Sequence, residues 1–209
     1  MQLFSDSFQD GARIPGRYAF AVPATSGHIA LSDNLNPHLR WQGEPAGTRS
    51  FALVCHDPDV PSVGTDVNIE GRTIAADLPR TDFFHWLLLD IPATTHDIAE
   101  GSHSRGVTVG GKAGPAARGG MRHGINDYTG WNAGNPDMAG DYYGYDGPCP
   151  PWNDARLHHY VFTLYALDTP SLGLGERADG ATVRAAIARH TLASASLTGS
   201  YSLNPALAG

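Results

Sequence analysis

The segment Asp57-Pro58-Asp59-Val60-Pro61 constrains the fold of this chain more than any other. It follows a compact apolar run, Ser50-Phe51-Ala52-Leu53-Val54-Cys55, which is itself entered from the turn formers Glu44-Pro45-Ala46-Gly47. Proline has no N–H to give to a ladder, so two prolines within four residues stop a central strand. The run is therefore expected to be a buried strand that delivers two carboxylates into a stiff loop. Two further runs share this design. Phe83 to Ile91 is halted by Pro92 and holds one imidazole, His85, in an otherwise apolar stretch. Leu157 to Leu167 follows the rigid Gly147-Pro148-Cys149-Pro150-Pro151 and opens with His158, His159 and Tyr160. All three runs carry their polar residues at one end or in the adjoining loop.

The remainder of the chain reads as a turn-rich β body. With 25 Gly and 15 Pro, hydrophobic residues at 41% and charged ones at only 17%, the composition excludes a disordered or coiled-coil chain. Residues 101–147 are so rich in Gly that they read as an exposed excursion, not a linker between two cores, so residues 1–209 form one domain. One helix is expected over Val183 to Arg189, capped by Asp179 or Thr182. It should end by Ser194, ahead of the strand-like Gly199 to Leu203. The fold class is mostly β: an antiparallel sandwich with long loops and a C-terminal helix packed against it.

Charge and cysteine usage narrow the partners. The balance of 14 basic and 21 acidic side chains, −7, argues against non-specific nucleic-acid or anionic-membrane binding. No apolar stretch reaches the roughly 18 residues of a membrane span. Cys55 and Cys149 are too few for a disulfide scaffold and read as reduced thiols. The start Met-Gln-Leu-Phe-Ser-Asp-Ser has neither the basic nor the apolar region of a secretion signal, so a cytoplasmic location is expected. Gly106-Val107-Thr108-Val109-Gly110-Gly111-Lys112 has P-loop spacing up to the lysine. It fails there, because Ala113 offers no hydroxyl and Gly114-Pro115 removes the helix that would hold a phosphate. Hydrolase-elbow, zincin and Cys-x-x-Cys motifs are absent, and no cofactor or metal is expected.

Taken in order, Asp57-Pro58-Asp59-Val60-Pro61-Ser62, Phe84-His85-Trp86, Gly147-Pro148-Cys149-Pro150-Pro151 and Leu157-His158-His159-Tyr160 resemble the phosphatidylethanolamine-binding protein family. Leu35-Asn36-Pro37-His38-Leu39-Arg40-Trp41, Asp90-Ile91-Pro92-Ala93, Asn126-Asp127 and Tyr165-Ala166-Leu167-Asp168 extend the resemblance over roughly residues 30 to 203. The resemblance implies a Greek-key β-sandwich with a small pocket for phosphate-like anions at one end. It places Asp57, His85, Gly147, Cys149 through its backbone N–H, His158 and Tyr160 on that pocket, with Asp59, Pro61 and Trp86 in support. It also implies a homodimer. Two stretches depart from the compact family pattern. Val63 to Asp82 has the look of a hairpin around Glu70-Gly71, and Trp131 to Tyr143 is aromatic and Gly-rich; both are expected at the pocket rim.

From the residues alone, convergent N–H and O–H donors favour an anion, and Asp57 opposes it by several kcal/mol for unit charges about 4 Å apart at an effective dielectric near 20. An Asp–His pair that takes a monoanionic phosphate or a carboxylate at mildly acidic pH resolves the conflict. Asp59 alone reads as a turn brace, and His159 points to the opposite face from His158. His28, His103, His123 and His190 read as surface or loop residues. The expected function is thus a non-enzymatic binding protein for a small anion: phosphate, carboxylate or a phospholipid headgroup. It could present the loaded surface to a protein partner. The competing readings are a protease or kinase inhibitor acting through Ser62 to Asp82 and Gly110 to Tyr143, and a hydrolase or metal enzyme using Asp57, His85 and His158.

Overall fold

The computed structural model describes residues 1–207. Its strands are β1 (Gln2–Phe4), β2 (Ala21–Pro23), β3 (Ile29–Leu31), β4 (Leu39–Gln42), β5 (Ser50–Pro61), β6 (Arg80–Pro92), β7 (Asp97–Ile98), β8 (Arg122–His123), β9 (His158–Leu167) and β10 (Thr191–Tyr201). A single helical turn, α1 (Tyr128–Trp131), and a longer helix, α2 (Gly180–Ile187), complete the frame. The three apolar runs of the sequence lie side by side at the centre of an antiparallel sheet ordered β10-β9-β5-β6-β8. Strands β9, β5, β6 and β8 stand in the order fourth, first, second, third, which is a Greek key. A smaller sheet, β1-β4-β7, and the pair β2-β3 complete the sandwich.

Alternation along the strands sorts side chains between two cores. Phe51, Leu53 and Cys55 of β5 join Phe162 and Leu164 of β9 against Leu3, Leu39, Trp41 and Ile98 of the smaller sheet. Ala52 and Val54 turn the other way and meet Val183 and Ile187 of α2. That helix starts where its cap dictates: the Asp179 side chain accepts the Thr182 N–H at 2.9 Å, which decides between the two candidate caps.

Four expectations are corrected. β5 does not stop before the prolines but runs through Pro61. Pairing with β9 ends at His56, and a register shift between Asp57 and Val60 leaves Pro58 in a bulge against β6, where no ladder N–H is required. β10 begins at Thr191, not near Gly199. Its Ala, Ser and Thr residues carry little periodic signal, and pairing along the whole of β9 imposes the strand. Residues 63–78 hold turns and no hairpin, because the Asn153 side chain satisfies their backbone, donating to Asp66 O at 2.8 Å and accepting the Asn68 N–H at 3.0 Å. His123 is buried on β8 with a ring nitrogen 3.3 Å from one of His103.

Close backbone approach fixes the Gly147-Pro148-Cys149 segment against residues 18–20. Pro148 O accepts the Phe20 N–H at 2.9 Å, and a Cβ on Gly147 would lie 2.0 Å from Tyr18 O. Gly147→Ala must therefore displace main chain rather than a flexible side chain. A loss of about 1–3 kcal/mol is expected, read from the urea unfolding midpoint.

Candidate functional site

Three strand ends meet at one edge of the sandwich. Asp57 comes from β5, His85 from β6, and His158 and Tyr160 from β9; all four are buried. Simple alternation would turn His85 away from Trp86. Instead Cys55 pairs with Trp86 and His56 with Phe84, so His85 is an extra residue on β6. This bulge re-aims the imidazole to the side that carries Asp57 and Tyr160.

His158 sits behind Asp57 and does not reach the cavity at this edge. Its Nδ1 lies 2.7 Å from Asp57 Oδ2 and its Nε2 3.1 Å from Asp154 Oδ2. Carboxylate oxygens accept, so both ring nitrogens carry hydrogen and the ring is an imidazolium. Burial alone would lower its pKa, but the hydrogen bonds to Asp154 and Asp57 outweigh that and raise it to about 9. Arg80 extends the chain of charges, gripping Asp154 through both terminal nitrogens at 2.5 and 3.1 Å. Asp57, His158, Asp154 and Arg80 thus alternate in sign.

His85 is held differently. Its Nδ1 is 2.7 Å from Asp146 O, which can only accept, so Nδ1 bears the hydrogen and the Nε2 of the neutral ring is an acceptor. Burial lowers the His85 pKa and keeps the ring neutral, although the Asp57 charge pulls the other way. Asp146 is the support that sequence reasoning missed. Its fully buried carboxylate takes Asn34 Nδ2, Asn126 Nδ2 and Lys112 Nζ, each at 2.8 Å. Lys112, the lysine of the failed P-loop, is therefore a buried counter-ion that also bonds Ser104 Oγ and Tyr145 O. The available signal was the acid standing directly before Gly147-Pro148-Cys149.

The cavity over this edge has a volume of about 570 Å³. Asp57, His85 and Tyr160 line it, with Cys149 and Pro61, among mostly apolar neighbours. The Tyr160 hydroxyl is buried beside Asp57 without a well-formed hydrogen bond; burial first and the nearby Asp57 charge second push its pKa well up. Gly147 lies off the cavity, its N–H donated to Asn34 Oδ1 at 2.8 Å and its carbonyl accepting from the Tyr128 hydroxyl at 2.8 Å. Asp59 also lies off it and accepts from Arg156 Nε at 2.6 Å and from His159 Nδ1 at 2.8 Å, a brace across β5 and β9. Trp86 is core, packed on Tyr145. Cys55 and Cys149 are unpaired thiols, and burial raises the Cys149 pKa to about 12. Among the described residues, no three His, Cys, Asp or Glu side chains are grouped to hold a metal ion, and no helix is long and apolar enough to cross a membrane.

The sequence matches the family model of the phosphatidylethanolamine-binding protein over residues 4–202. The chain belongs to the phosphatidylethanolamine-binding protein family. It is 32% identical to the UPF0098 protein YbhB of Escherichia coli K12, over 97% of this chain and 100% of that protein. It is 30% identical to a UPF0098 protein of Aquifex aeolicus, over 96% and 88% of the two chains. The crystal structure of E. coli YbcL, described as a member of the mammalian PEBP family, superposes with a TM-score of 0.67. It has 25% identity and covers 96% of this chain and 97% of that one.

Removing the His158 cation would leave the Asp57 and Asp154 carboxylates facing each other in the interior. His158→Gln is expected to cost about 3–5 kcal/mol near neutral pH. Because the folded pKa is raised from 6.5 to about 9, this stabilisation is present in full below pH 6.5 and is lost as pH rises through 9. Denaturant unfolding of both proteins at pH 6, 8 and 10 should show the gap narrowing at the highest pH.

Proposed function

We propose that this chain is a small-ligand-binding protein whose cavity takes a monoanionic phosphate or a carboxylic acid head against Asp57, His85, Tyr160 and Cys149. The observation that carries the reading is the hydrogen-bond inventory at the cavity base. Asp57 and the neutral His85 Nε2 are acceptors, while the Tyr160 hydroxyl, without a well-formed hydrogen bond, is a donor. The Cys149 backbone N–H, which meets no main-chain acceptor among the described residues, would serve as a second donor, since Cys149 lines the cavity. Among the described residues no lysine or arginine lines the cavity, so a fully ionised phosphate would be desolvated without a counter-charge. A head that keeps an acidic hydrogen answers both sets of groups at once: an O–H is given to Asp57 or His85, and its remaining oxygens accept from Tyr160 and Cys149.

His158 supports this arrangement from behind by holding Asp57 in place and balancing its charge. The unpaired thiols suit a reducing compartment, and cytoplasmic residence is part of the proposal.

Calorimetric titration with inorganic phosphate between pH 5 and 8 tests it. Affinity should fall several-fold from pH 6 to pH 8, as monoanionic inorganic phosphate gives way to the dianion and its added charge meets Asp57. Asp57→Asn, shown to be folded by circular dichroism, should flatten that dependence. Affinity that climbed steadily with pH would reject the protonated-head reading, and a wild-type profile in the variant would reduce Asp57 to a brace.

A further inference from the structure

A phosphate or carboxyl head would occupy only a small part of the cavity. At about 570 Å³ the volume falls in the range that holds whole drug-sized molecules. What lies beyond the head position is mostly apolar, with Asn68, Asn132 and Asn135 as its polar members. Phe20 and Tyr128 stack with centroids 4.7 Å apart and planes 16° from parallel, and Phe83 stands edge-on to Tyr128 at 88°. Together they form an aromatic corner directly above His85, whose ring is 5.0 Å from Phe83 and 5.7 Å from Tyr128. Further out, the lining includes Trp131 and Met138 from one rim segment, Val67 from the other, Val60 near the end of β5, and Ile29 and Leu31 of β3. Two of these are left largely in water: Trp131 is 57% exposed and Leu31 is 64% exposed. Large apolar side chains gathered round one opening and unburied by the fold are groups that a ligand would cover.

We infer that the cavity selects a soluble acid with one compact aromatic or branched apolar body, such as an aryl phosphate monoester, in preference to bare phosphate or a diacyl lipid. This rests on the acid-head reading of the cavity base. Asp57, His85 and Tyr160 are buried while Trp131 and Leu31 are exposed, so a ligand would enter head first with its body against the aromatic corner. Among the described residues no lysine or arginine lines the cavity, which removes the usual means of fixing a bilayer of anionic lipid, and the net charge of −7 acts in the same sense. A body confined to one side of a single head fits the space; two long acyl chains exceed it.

Calorimetry at pH 6 with 1-naphthyl phosphate, inorganic phosphate and phosphoethanolamine, and co-sedimentation with phosphatidylethanolamine–phosphatidylcholine vesicles, separates the outcomes. The naphthyl ester should bind at least about tenfold more tightly than either small phosphate, from apolar area removed from water. Trp131→Ala and Leu31→Ala, both at exposed positions where folding is not at risk, should each narrow that gap by about threefold or more. Equal affinity for naphthyl phosphate and phosphate would overturn this inference while leaving the acid-head site standing. Failure of all three soluble probes would overturn the acid-head reading itself. Vesicle binding without binding of the naphthyl ester would assign the cavity to lipid and reject the soluble-ligand class.

Discussion

The edge of the sandwich that carries the site depends on a chain of alternating charges in the interior. Asp57, His158, Asp154 and Arg80 come from β5, β9, the loop before β9 and β6, so the chain ties together the three strands whose ends form the site. Each carboxylate would be costly to bury alone, and the cation between them would be costly as well. Alternation of sign makes the set tolerable as a unit. It also assigns roles: the imidazole deepest in the protein is charged and saturated, and the one at the cavity is neutral with a free nitrogen. Two histidines on the strands that flank β5 thus have opposite protonation, and environment alone accounts for the difference.

The second support is the Asp146 hub. One backbone carbonyl fixes the tautomer of His85, and the carboxylate of the same residue collects Asn34, Asn126 and Lys112 from three separate loops. The Gly-rich excursion is consequently anchored to the site by a buried ion pair, although it adds little regular structure of its own.

Much of this was legible in the sequence, and the limits have physical causes. Long apolar runs ending in proline or in polar residues signalled β5, β6 and β9, and Asp179 signalled the helix start. β10 was foreshortened because Ala, Ser and Thr fit strand, turn and helix caps alike, and only its partner decides. The convergence of Asp57, His85 and Tyr160 was visible through their positions at strand ends, yet the bulge that aims His85 leaves no mark in residue type. His158 and Tyr160 share a face by alternation, but depth below the cavity is a tertiary matter: Asp154, four residues upstream, draws the imidazole inward. Lys112 was set aside with a motif that failed. Its partner, 34 positions later, emerged only once the loops were folded together.

The base of the cavity is built from ladder strands, whereas its outer walls hang from residues 63–78 and 131–138, which lie almost wholly outside the ladder. In the proposed reading, recognition of the head and of the body would therefore be carried by separate parts of the fold. Loop exchange at these two segments offers a route to new specificities on an unchanged foundation, because neither segment supplies a member of the Asp57–Arg80 charge chain. The same separation gives natural variants freedom to diversify what they recognise while the strand ends stay as they are.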